Sequence, residues 1–439
     1  MMSEPIQYHS ETDLELFLER GVVIPDPSTV RIERCLQPGS IAPGAVLHPY
    51  CRIEGERSRV GADALLGISG PVSVCSSVVG RGSKVGTLGP VVLRDTVLGP
   101  FTVLGSGTAE DTVFLGKENE VNDFTAGYGF RTRRGTLYEE DSSSAQHTDT
   151  KMTLLFPWAT LGSNINFCDA LVSGGSGPEL GSFSEIGSGT IHFNFTPSGD
   201  KATSSLFGNA VEGVFLNRER IFIGGNNSLL GPMDVQFGAS SAAGIRIHGK
   251  LTPGLHTGQV LTRRTITRDF RILMQVRRTL ASQFNYLGEL CALQNWYREI
   301  RVGVMADEPE TRELYSEGMR MVRLNIEERI GQLRHYFKLL DQSVDLLSVN
   351  QPGGKELERQ RFIAACWPKL EEDLQGTLEL EIPCPVILKN ELEGSDPSIR
   401  DYTQRIRDIS PEAVQKGTEW LMECREKGGR SLIRLLDAG

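Results

Sequence analysis

The chain has 439 residues, of which 39% are hydrophobic, so it is long enough for two or three domains with a sizeable core. Its formal net charge of −10 argues against a nucleic-acid-binding protein that is held by phosphate contacts. The eight cysteines are scattered and form no Cys-x-x-Cys pair, so we predict no zinc or other metal site. The sequence also shows no secretion signal and no long apolar run, and we therefore predict a soluble cytoplasmic protein.

Residues 1–30 are predicted to form an N-terminal cap. Residues 12–19 have the pattern of a short amphipathic helix, with Leu14, Phe17 and Leu18 on one face. A stack of β-coils needs such a cap, because its open end would expose unpaired strand edges and apolar side chains.

Residues 31–257 contain a short repeat in which an aliphatic residue is followed by glycine. Val79-Gly80 is followed by Val85-Gly86, and Leu230-Gly231 by Phe237-Gly238. One aliphatic side chain of each short strand would point inward, and the glycine beside it would let the chain turn a corner. Three such strands would make one triangular coil, and stacked coils would bury a continuous aliphatic ladder. The repeat therefore predicts a mainly β fold, a coiled parallel sheet.

The rhythm of the repeat is interrupted twice. It stops at residues 128–153, which hold Arg131, Arg133, Arg134 and His147. We predict that this stretch is a loop pushed out of one corner, as insertions in solenoids often are, toward a binding face. The rhythm resumes at Leu161-Gly162, and a second, smaller insertion is predicted at residues 196–212.

Residues 258–439 are predicted to form an α-helical region, because glycine becomes rare and apolar residues recur at helical spacing. Residues 265–302 and 310–347 are the two long helical candidates, and the short link between them predicts an antiparallel hairpin. Further helices are predicted to begin near Lys355 and Pro411. We expect this region to pack on the coils or to serve an oligomer interface.

Three stretches of the repeat carry polar or very small residues at successive corners. They read GSGTIHFNF at 187–195, FIGGNNSLLGPMDV at 222–235 and FGASSAAGIRI at 237–247. Stacked small corners predict a flat groove on the outside of the coil, with backbone N–H and C=O groups open to a long, thin ligand.

These stretches resemble the left-handed β-helix of the bacterial N-acetylglucosamine-1-phosphate uridyltransferase/glucosamine-1-phosphate acetyltransferase family, which has GAGT-x-x-x-NYDG followed by VGS, APV and GATIAAGT rungs. The resemblance is good over residues 180–250 and loose over 21–127. IHFNFTPSGDK at 191–201 is more similar still to UDP-N-acetylglucosamine pyrophosphorylase-related proteins. The resemblance implies a left-handed parallel β-helix of hexapeptide repeats, an exception to the right-handed crossover rule. It also implies a homotrimer and acetyl-CoA, or another acyl-CoA, as co-substrate.

The resemblance also implies roles for individual residues. Asn194 and Phe195 fall where the family places an Asn-Tyr pair against acetyl-CoA. Lys201 falls near a lysine that meets the sugar phosphate. Small positions along the same coenzyme groove fall on Ser188, Gly225 and Ala243.

The sequence departs from the family in two ways. The uridyltransferase domain has no counterpart, since few residues precede the coils, and we therefore expect no pyrophosphorylase activity of that type. The family's catalytic histidine would fall near Leu171, so that either the base has moved or the site no longer performs that reaction.

An amine that attacks a thioester must lose a proton, and histidine suits this task near neutral pH. His192 could share the face of Asn194, or it could be a hydrogen-bonded histidine of the coil. His147, in the predicted loop, could reach a neighbouring corner or subunit, or it could be a solvated loop residue. The three loop arginines Arg131, Arg133 and Arg134 could hold a phosphate or carboxylate, or could simply be solvated.

Three functional hypotheses follow. The first is an acyltransferase that moves an acyl group from acyl-CoA to an amino-sugar phosphate or a nucleotide-sugar. The second is a sugar-nucleotide-binding protein that keeps the groove and does not need a base. The third is a scaffold whose helical region recruits partners. The insertions favour the first two, because a bare scaffold has no need of a charged loop.

Overall fold

The computed structural model describes residues 6–117, 123–258, 265, 267–394 and 401–436. Over these residues the chain forms a parallel β-solenoid of about 12 turns, followed by a region of α-helices. Helices account for 36% and strands for 25% of the residues. The predicted fold class is therefore confirmed.

The strands are short, as the repeat predicts, and they pair in parallel from turn to turn. They are β1 Arg31–Ile32, β2 Val46–Leu47, β3 Arg52–Glu54, β4 Arg59–Val60, β5 Leu65–Leu66, β6 Val72–Cys75, β7 Val78–Val79, β8 Lys84–Val85, β9 Val91–Arg94, β10 Val97–Leu98, β11 Val103–Glu110, β12 Thr112–Phe114, β13 Ala126–Thr132, β14 Thr136–Tyr138, β15 Ser143–Ser144, β16 Asp149–Leu155, β17 Ala159–Leu161, β18 Asn166–Val172, β19 Ser184–Ile186, β20 Ile191–Phe193, β21 Ser205–Phe207, β22 Phe222–Ile223, β23 Ser228–Val235, β24 Ala239–Ser241, β25 Arg246–Leu251 and β26 Gly254–His256.

The strands stack into three ladders, which we call faces 1, 2 and 3 in the order in which the chain visits them. Face 1 begins with β1, β3, β6 and β9, face 2 includes β4, β7, β10, β12 and β14, and face 3 includes β2, β5, β8, β15, β17, β19, β22 and β24. Longer strands bend around a corner and join two faces. For example, β16 and β18 pair on face 1 through Asp149 and Asn166, and on face 2 through Leu154 and Leu171.

The interior of the solenoid is built from one column of aliphatic side chains on each face. On face 1, Ile32, Ile53, Val74 and Leu93 are register partners in consecutive turns, and all four are buried. Each such side chain contributes about 1.5–3 kcal/mol of burial free energy. Because strand residues alternate sides, the neighbours of each interior residue point outward.

Residues 128–153 are not the loop that the sequence analysis predicts. They form parts of β13, β14, β15 and β16, which continue the ladders. Phe130 and Thr132 point inward and are buried, while Arg131 lies between them on the outside. Thr132 and Thr150 are register partners inside the coil. Buried threonines thus replace aliphatic residues here, which hides the repeat without breaking the coil.

The second predicted insertion, 196–212, is partly regular. β21 returns to the stack between β18 and β23, and the short helix α2 follows it. Residues 194–204, which precede β21, form neither a strand nor a helix. At the N-terminus, the predicted cap helix is present as α1, where Ser10 and Asp13 form a capping box.

The C-terminal region contains more helices than the four that the sequence predicts. The helices of the chain are α1 Glu11–Glu19, α2 Ala210–Gly213, α3 Val276–Trp296, α4 Pro309–Asn350, α5 Lys355–Ala365, α6 Trp367–Thr377, α7 Val386–Glu393, α8 Tyr402–Arg407 and α9 Pro411–Gly428, with a π-helical turn at Tyr297–Val302 and 3₁₀ turns at Pro27–Thr29, Pro38–Ser40 and Arg430–Leu436. The first long helix begins at Val276 and not at residue 265, and residue 266 lies outside the described residues.

The helical region packs on the outer surface of face 2. Leu137, Leu154 and Leu171 are register partners there, and all three are buried in one apolar cluster with α3 and α4. Their strand neighbours Tyr138 and Leu155 point to the opposite side, into the solenoid interior. Face 2 is therefore apolar on both sides, which explains why the helices bind to it.

A fully buried ion cluster joins the two halves of the chain. The Arg301 guanidinium donates from Nη1 to Glu140 at 2.7 Å, and its Nη2 lies 3.2 Å from Glu139. Tyr297 donates its hydroxyl to Glu139 at 2.5 Å. Burial raises the pKa of Glu139, and the charge of Arg301 opposes this shift. Removing either partner of such a cluster leaves an unpaired buried charge, so the cluster fixes where the helices bind.

The packing of the corners predicts a pair of substitutions with opposite effects. A Cβ at Gly187 would lie 2.5 Å from the backbone nitrogen of Gly225 in the next turn, whereas a Cβ at Gly331, in the middle of α4, would have free space. We expect Gly187→Ala to lower the free energy of unfolding by about 1–3 kcal/mol through overpacking. Gly331→Ala should raise it by about 1 kcal/mol through helix propensity.

Chemical denaturation of the two variants and the wild type, followed by circular dichroism, measures both effects. An equal or higher stability of Gly187→Ala would contradict the close packing of the corners.

Candidate functional site

The corner between faces 3 and 1 carries the small residues that the sequence analysis singles out. The amide of Asn164 donates to the carbonyl of Gln146, and the amide of Gly189 donates to Ser163, at 2.8 and 2.7 Å. The same bond joins Asn226 to Ser188 at 2.7 Å and Gly244 to Gly225 at 2.9 Å. These bonds place four small residues in a line on successive turns, which we call the small-residue column: Ser163, Ser188, Gly225 and Ala243.

Packing explains only part of why the side chains at and beside this column are small. The residues just before it must be small, because a Cβ at Gly162, Gly187 or Gly224 would meet the backbone of the next turn at 2.5–2.7 Å. Ser188 and Ala243 themselves point outward and are exposed, so no neighbouring turn limits their size. Their smallness keeps the outside of this corner flat.

The backbone N–H and C=O groups of this corner are less available for hydrogen bonds to a ligand than the sequence predicts. The carbonyls of Ser163, Ser188 and Gly225 already accept hydrogen bonds from the following turn. A ligand in the groove would therefore meet side chains and the second lone pairs of these carbonyls, and not a row of free backbone groups.

His147 lies on the same corner as the column. It sits next to Gln146, which precedes Ser163 by one turn, and its backbone adopts a left-handed conformation with φ of 54°. The imidazole is exposed and its edge contacts the ring of Tyr128, with 5.4 Å between the ring centroids. Since turns lie about 4.8 Å apart, His147 is roughly 10 Å from Ser188 along the corner.

His192, the other predicted catalytic histidine, is inside the solenoid. It shares its column with Phe167 and Leu229, and only 5% of the residue is exposed. Nδ1 lies 2.8 Å from the carbonyl oxygen of Cys168, and Nε2 lies 2.8 Å from the hydroxyl of Ser205. Burial lowers the pKa of His192. Its geometry is that of a hydrogen-bonded core residue, because the strand register turns this position inward. The strand ends at Phe193, so Asn194 lies on the corner and does not share this inward direction.

Asn194 and Phe195 lie at a different corner from the column. They follow β20 at the junction of faces 1 and 2, and both are exposed. The outer surface of face 1 separates them from Ser188, a distance of up to roughly 20 Å at strand spacing. A ligand that contacts both sets must therefore cross face 1, where Phe193 and Leu230 are register partners.

Lys201 and the arginines occupy three different positions. Lys201 is exposed at the end of the 194–204 segment. Arg131 and Arg133 lie on the outer surface of face 1, where both pair with Asp149, at 3.6 and 2.7 Å. Arg134 lies at the next corner.

Arg134 is directed away from face 1. Its Nε lies 3.5 Å from Asp111, which also pairs with Arg320 of α4 at 2.7 Å. Arg134 therefore contributes to the contact with the helical region, and it does not join Arg131 and Arg133 in one anion site.

Leu171, near which the resemblance would put the family's catalytic histidine, is buried under the helices. It belongs to the apolar cluster between face 2 and α3 and α4. The helices therefore cover this position. Among the described residues, no group of three or more His, Cys, Asp and Glu side chains is arranged to hold a metal ion.

Ser163 is the site residue that sequence reasoning missed. It lies one turn before Ser188 in the column, and its backbone amide donates to the Ser188 hydroxyl at 3.0 Å. The signal was present in Leu161-Gly162-Ser163, which repeats the pattern of Ile186-Gly187-Ser188.

Comparison with curated proteins agrees with this architecture. The chain is similar to the bifunctional protein GlmU. It is 27% identical to that of Thermotoga petrophila over 243 residues, 28% to that of Pseudomonas entomophila over 188, and 26% to that of Desulfitobacterium hafniense over 238. These matches cover 55%, 41% and 53% of this chain, but only 42%, 36% and 40% of the relatives. No family model matches the chain.

The similarity confirms the predicted resemblance over about half of the chain. The similar segment covers less than half of each of these GlmU proteins, so the similarity does not assign the activities of GlmU to this chain. Within the described residues, none of the helices is both long and apolar enough to cross a membrane.

The core position of His192 predicts a pH-dependent contribution to stability. Its folded-state pKa lies below the ordinary value of 6.5, so the folded state disfavours the proton. The contribution of His192 is therefore present above about pH 6.5 and is lost as the pH falls. We expect the wild type to lose more stability than His192→Phe when the pH is lowered from 7.5 to 5.5.

Denaturant midpoints of both proteins at the two pH values measure this difference. If His192→Phe had the same pH dependence of stability as the wild type and lost only catalytic activity, His192 would again be a candidate base.

Proposed function

We propose that this chain is a hexapeptide-repeat acyltransferase that binds an acyl-CoA along the corner between faces 3 and 1. The acceptor is proposed to be an amino-sugar phosphate or a nucleotide-sugar. The observation that carries this proposal is the small-residue column, because Ser188, Gly225 and Ala243 are the positions where the resembling family lines its coenzyme groove. The similarity to GlmU supports an acyltransferase of this general kind.

The proposed reaction needs a nucleophile and a base. The acceptor amine attacks the thioester carbonyl, the C–S bond breaks, and coenzyme A leaves as the thiol. His147 is proposed to take the proton of the amine, since it is exposed beside the column and an imidazole suits proton transfer near neutral pH. Asn194, Phe195 and Lys201 are proposed to hold the far end of the coenzyme and the phosphate of the acceptor, across face 1.

Arg131 and Arg133 are weaker candidates for binding an anionic ligand. Both border face 1, but Asp149 already pairs with them. A phosphate would have to compete with this carboxylate, so we propose that they tune the charge near His147 and do not form the main phosphate contact.

One observation favours the second hypothesis, a sugar-nucleotide-binding protein without transferase activity. The position of the family's base is Leu171, and helices cover it. If His147 does not replace that base, the same groove would still bind a ligand, but no acyl group would be transferred. A homotrimer and a cytoplasmic location stay proposals that rest on the family resemblance.

Filling the column should block coenzyme binding without disturbing the fold. Ala243 is exposed, so Ala243→Phe adds a ring outside the corner and not inside it. We expect the Kd for acetyl-CoA, measured by isothermal titration, to rise at least about tenfold, or more than about 1.4 kcal/mol.

Ile68→Phe is the matched control, because Ile68 is exposed at the same corner in the N-terminal turns, outside the column. Its Kd should equal that of the wild type. Equal binding by all three proteins would place the coenzyme elsewhere, and no binding by the wild type would exclude an acetyl-CoA enzyme.

Removing the proposed base should affect the transfer step and not binding. We expect His147→Ala to lower kcat for acetyl transfer to glucosamine-1-phosphate by about 10²–10⁴-fold, the usual contribution of a general base. The Kd for acetyl-CoA should stay the same. The release of free thiol gives the rate, with His9→Ala as a control on a histidine of the N-terminal cap, where its imidazole lies 3.0 Å from the carbonyl oxygen of Leu36.

Unchanged transfer by His147→Ala would remove His147 from the mechanism. Tight binding of the coenzyme or of UDP-N-acetylglucosamine by the wild type, without any transfer, would favour the second hypothesis.

A further inference from the structure

A cavity of about 410 Å³ lies between the solenoid and the C-terminal helices, away from the small-residue column. The solenoid lines it with residues at the end of face 2, among them Lys250 of β25 and Phe237. The helical region lines it with Asn285 of α3, Arg425 of α9 and Arg430. Its volume falls in the range of small-molecule sites, which is about 300–1,000 Å³.

Two of the four cationic side chains in this cavity are already neutralised. Arg218 pairs with Glu212, and Arg425 lies 3.2 Å from Glu289. The second oxygen of Glu289 accepts the backbone amide of Ala210 at 2.9 Å. These groups therefore already have ion-pair and hydrogen-bond partners within the protein.

The other two cations have no such partner. Among the described residues, no carboxylate lies within 4.0 Å of the charged groups of Lys250 or Arg430, although both line the cavity and are exposed. Asp234 is the register partner of Lys250 in the neighbouring turn, but it forms no ion pair at that distance. The lining therefore holds four cations against three carboxylates (Glu212, Asp234 and Glu289), and the two cations without an ion pair come from two different parts of the fold.

The neutral lining suits a ligand with a polar and an apolar part. The side-chain amides of Gln236 and Asn285 face the cavity and make no hydrogen bond with another described residue. They offer donors and acceptors at its wall. Phe237 and Val235 provide an apolar surface beside them. Such a combination of a few polar groups with an apolar wall is typical of sites for small organic molecules.

We propose that this cavity binds a small phosphorylated molecule, with its phosphate between Lys250 and Arg430. A phosphate carries close to two negative charges and accepts several hydrogen bonds, which matches one ammonium and one guanidinium better than a single carboxylate would. Because Lys250 belongs to the solenoid and Arg430 follows α9, the ligand links the helical region to the coils. The site lies at another corner from the proposed coenzyme groove and does not depend on it.

Pyrophosphate is the probe for this site, since it carries the proposed phosphate group with only a second phosphoryl group as its substituent. Isothermal titration of the full chain at constant ionic strength should show saturable binding. Lys250→Gln and Arg430→Gln should each weaken it at least about tenfold, because each removes one of the two phosphate contacts.

Two controls make the outcome specific. Lys427→Gln removes a surface cation of α9 that already pairs with Glu423, and it should bind as the wild type does. Ala243→Phe should also bind pyrophosphate normally, which separates this site from the coenzyme groove. Since Lys250 and Arg430 are exposed, circular dichroism and Tm should show that both variants fold.

Saturable binding should also raise the Tm of the wild type with ligand concentration, because the ligand stabilises the docked state. Absence of saturable binding, or equal binding by Lys250→Gln, Arg430→Gln and the wild type, would overturn the proposal. Equal loss of binding in Lys427→Gln would show a general charge effect and would overturn it as well.

Discussion

The hydrogen bonds between consecutive turns are the constraint on which the rest of the structure depends. Each strand must lie in register with the strand one turn before it, so every side chain is assigned to the interior or to the outside. At the corner between faces 3 and 1, the same bonds bring backbones so close that Gly187 and Gly224 have no room for a Cβ. The glycines beside the small-residue column follow from this ladder, whereas the small size of the outward-pointing Ser188 and Ala243 does not.

The helical region determines which surfaces of the solenoid are accessible to a ligand. It covers face 2 through the leucines that include Leu171, and the buried Arg301 and its two carboxylates hold it there. Leu171 and the outer surface of face 2 around it are thereby removed from solvent. The outer surface of face 1 and its two corners stay accessible, and they carry His147, Asn194 and the small-residue column.

The aliphatic-glycine repeat was sufficient to predict the solenoid, and apolar residues at helical spacing were sufficient to predict the cap helix and the two long helices. Both patterns work because the period of apolar residues follows the period of buried side chains. The repeat failed at residues 128–153, where buried threonines such as Thr132 take the place of aliphatic residues. It also failed to place His192, since alternation gives the period of a strand but not which residues face inward. The pairing of Lys250 with Arg430 in one cavity was beyond sequence reasoning, because tertiary packing alone brings these distant residues together.

A crystal structure of the chain with acetyl-CoA would show directly where the coenzyme binds. We expect the coenzyme along the corner between faces 3 and 1, in contact with Ser163, Ser188, Gly225 and Ala243, with its thioester near His147. Coenzyme bound elsewhere on the solenoid, or a corner left empty at saturating coenzyme, would contradict this expectation.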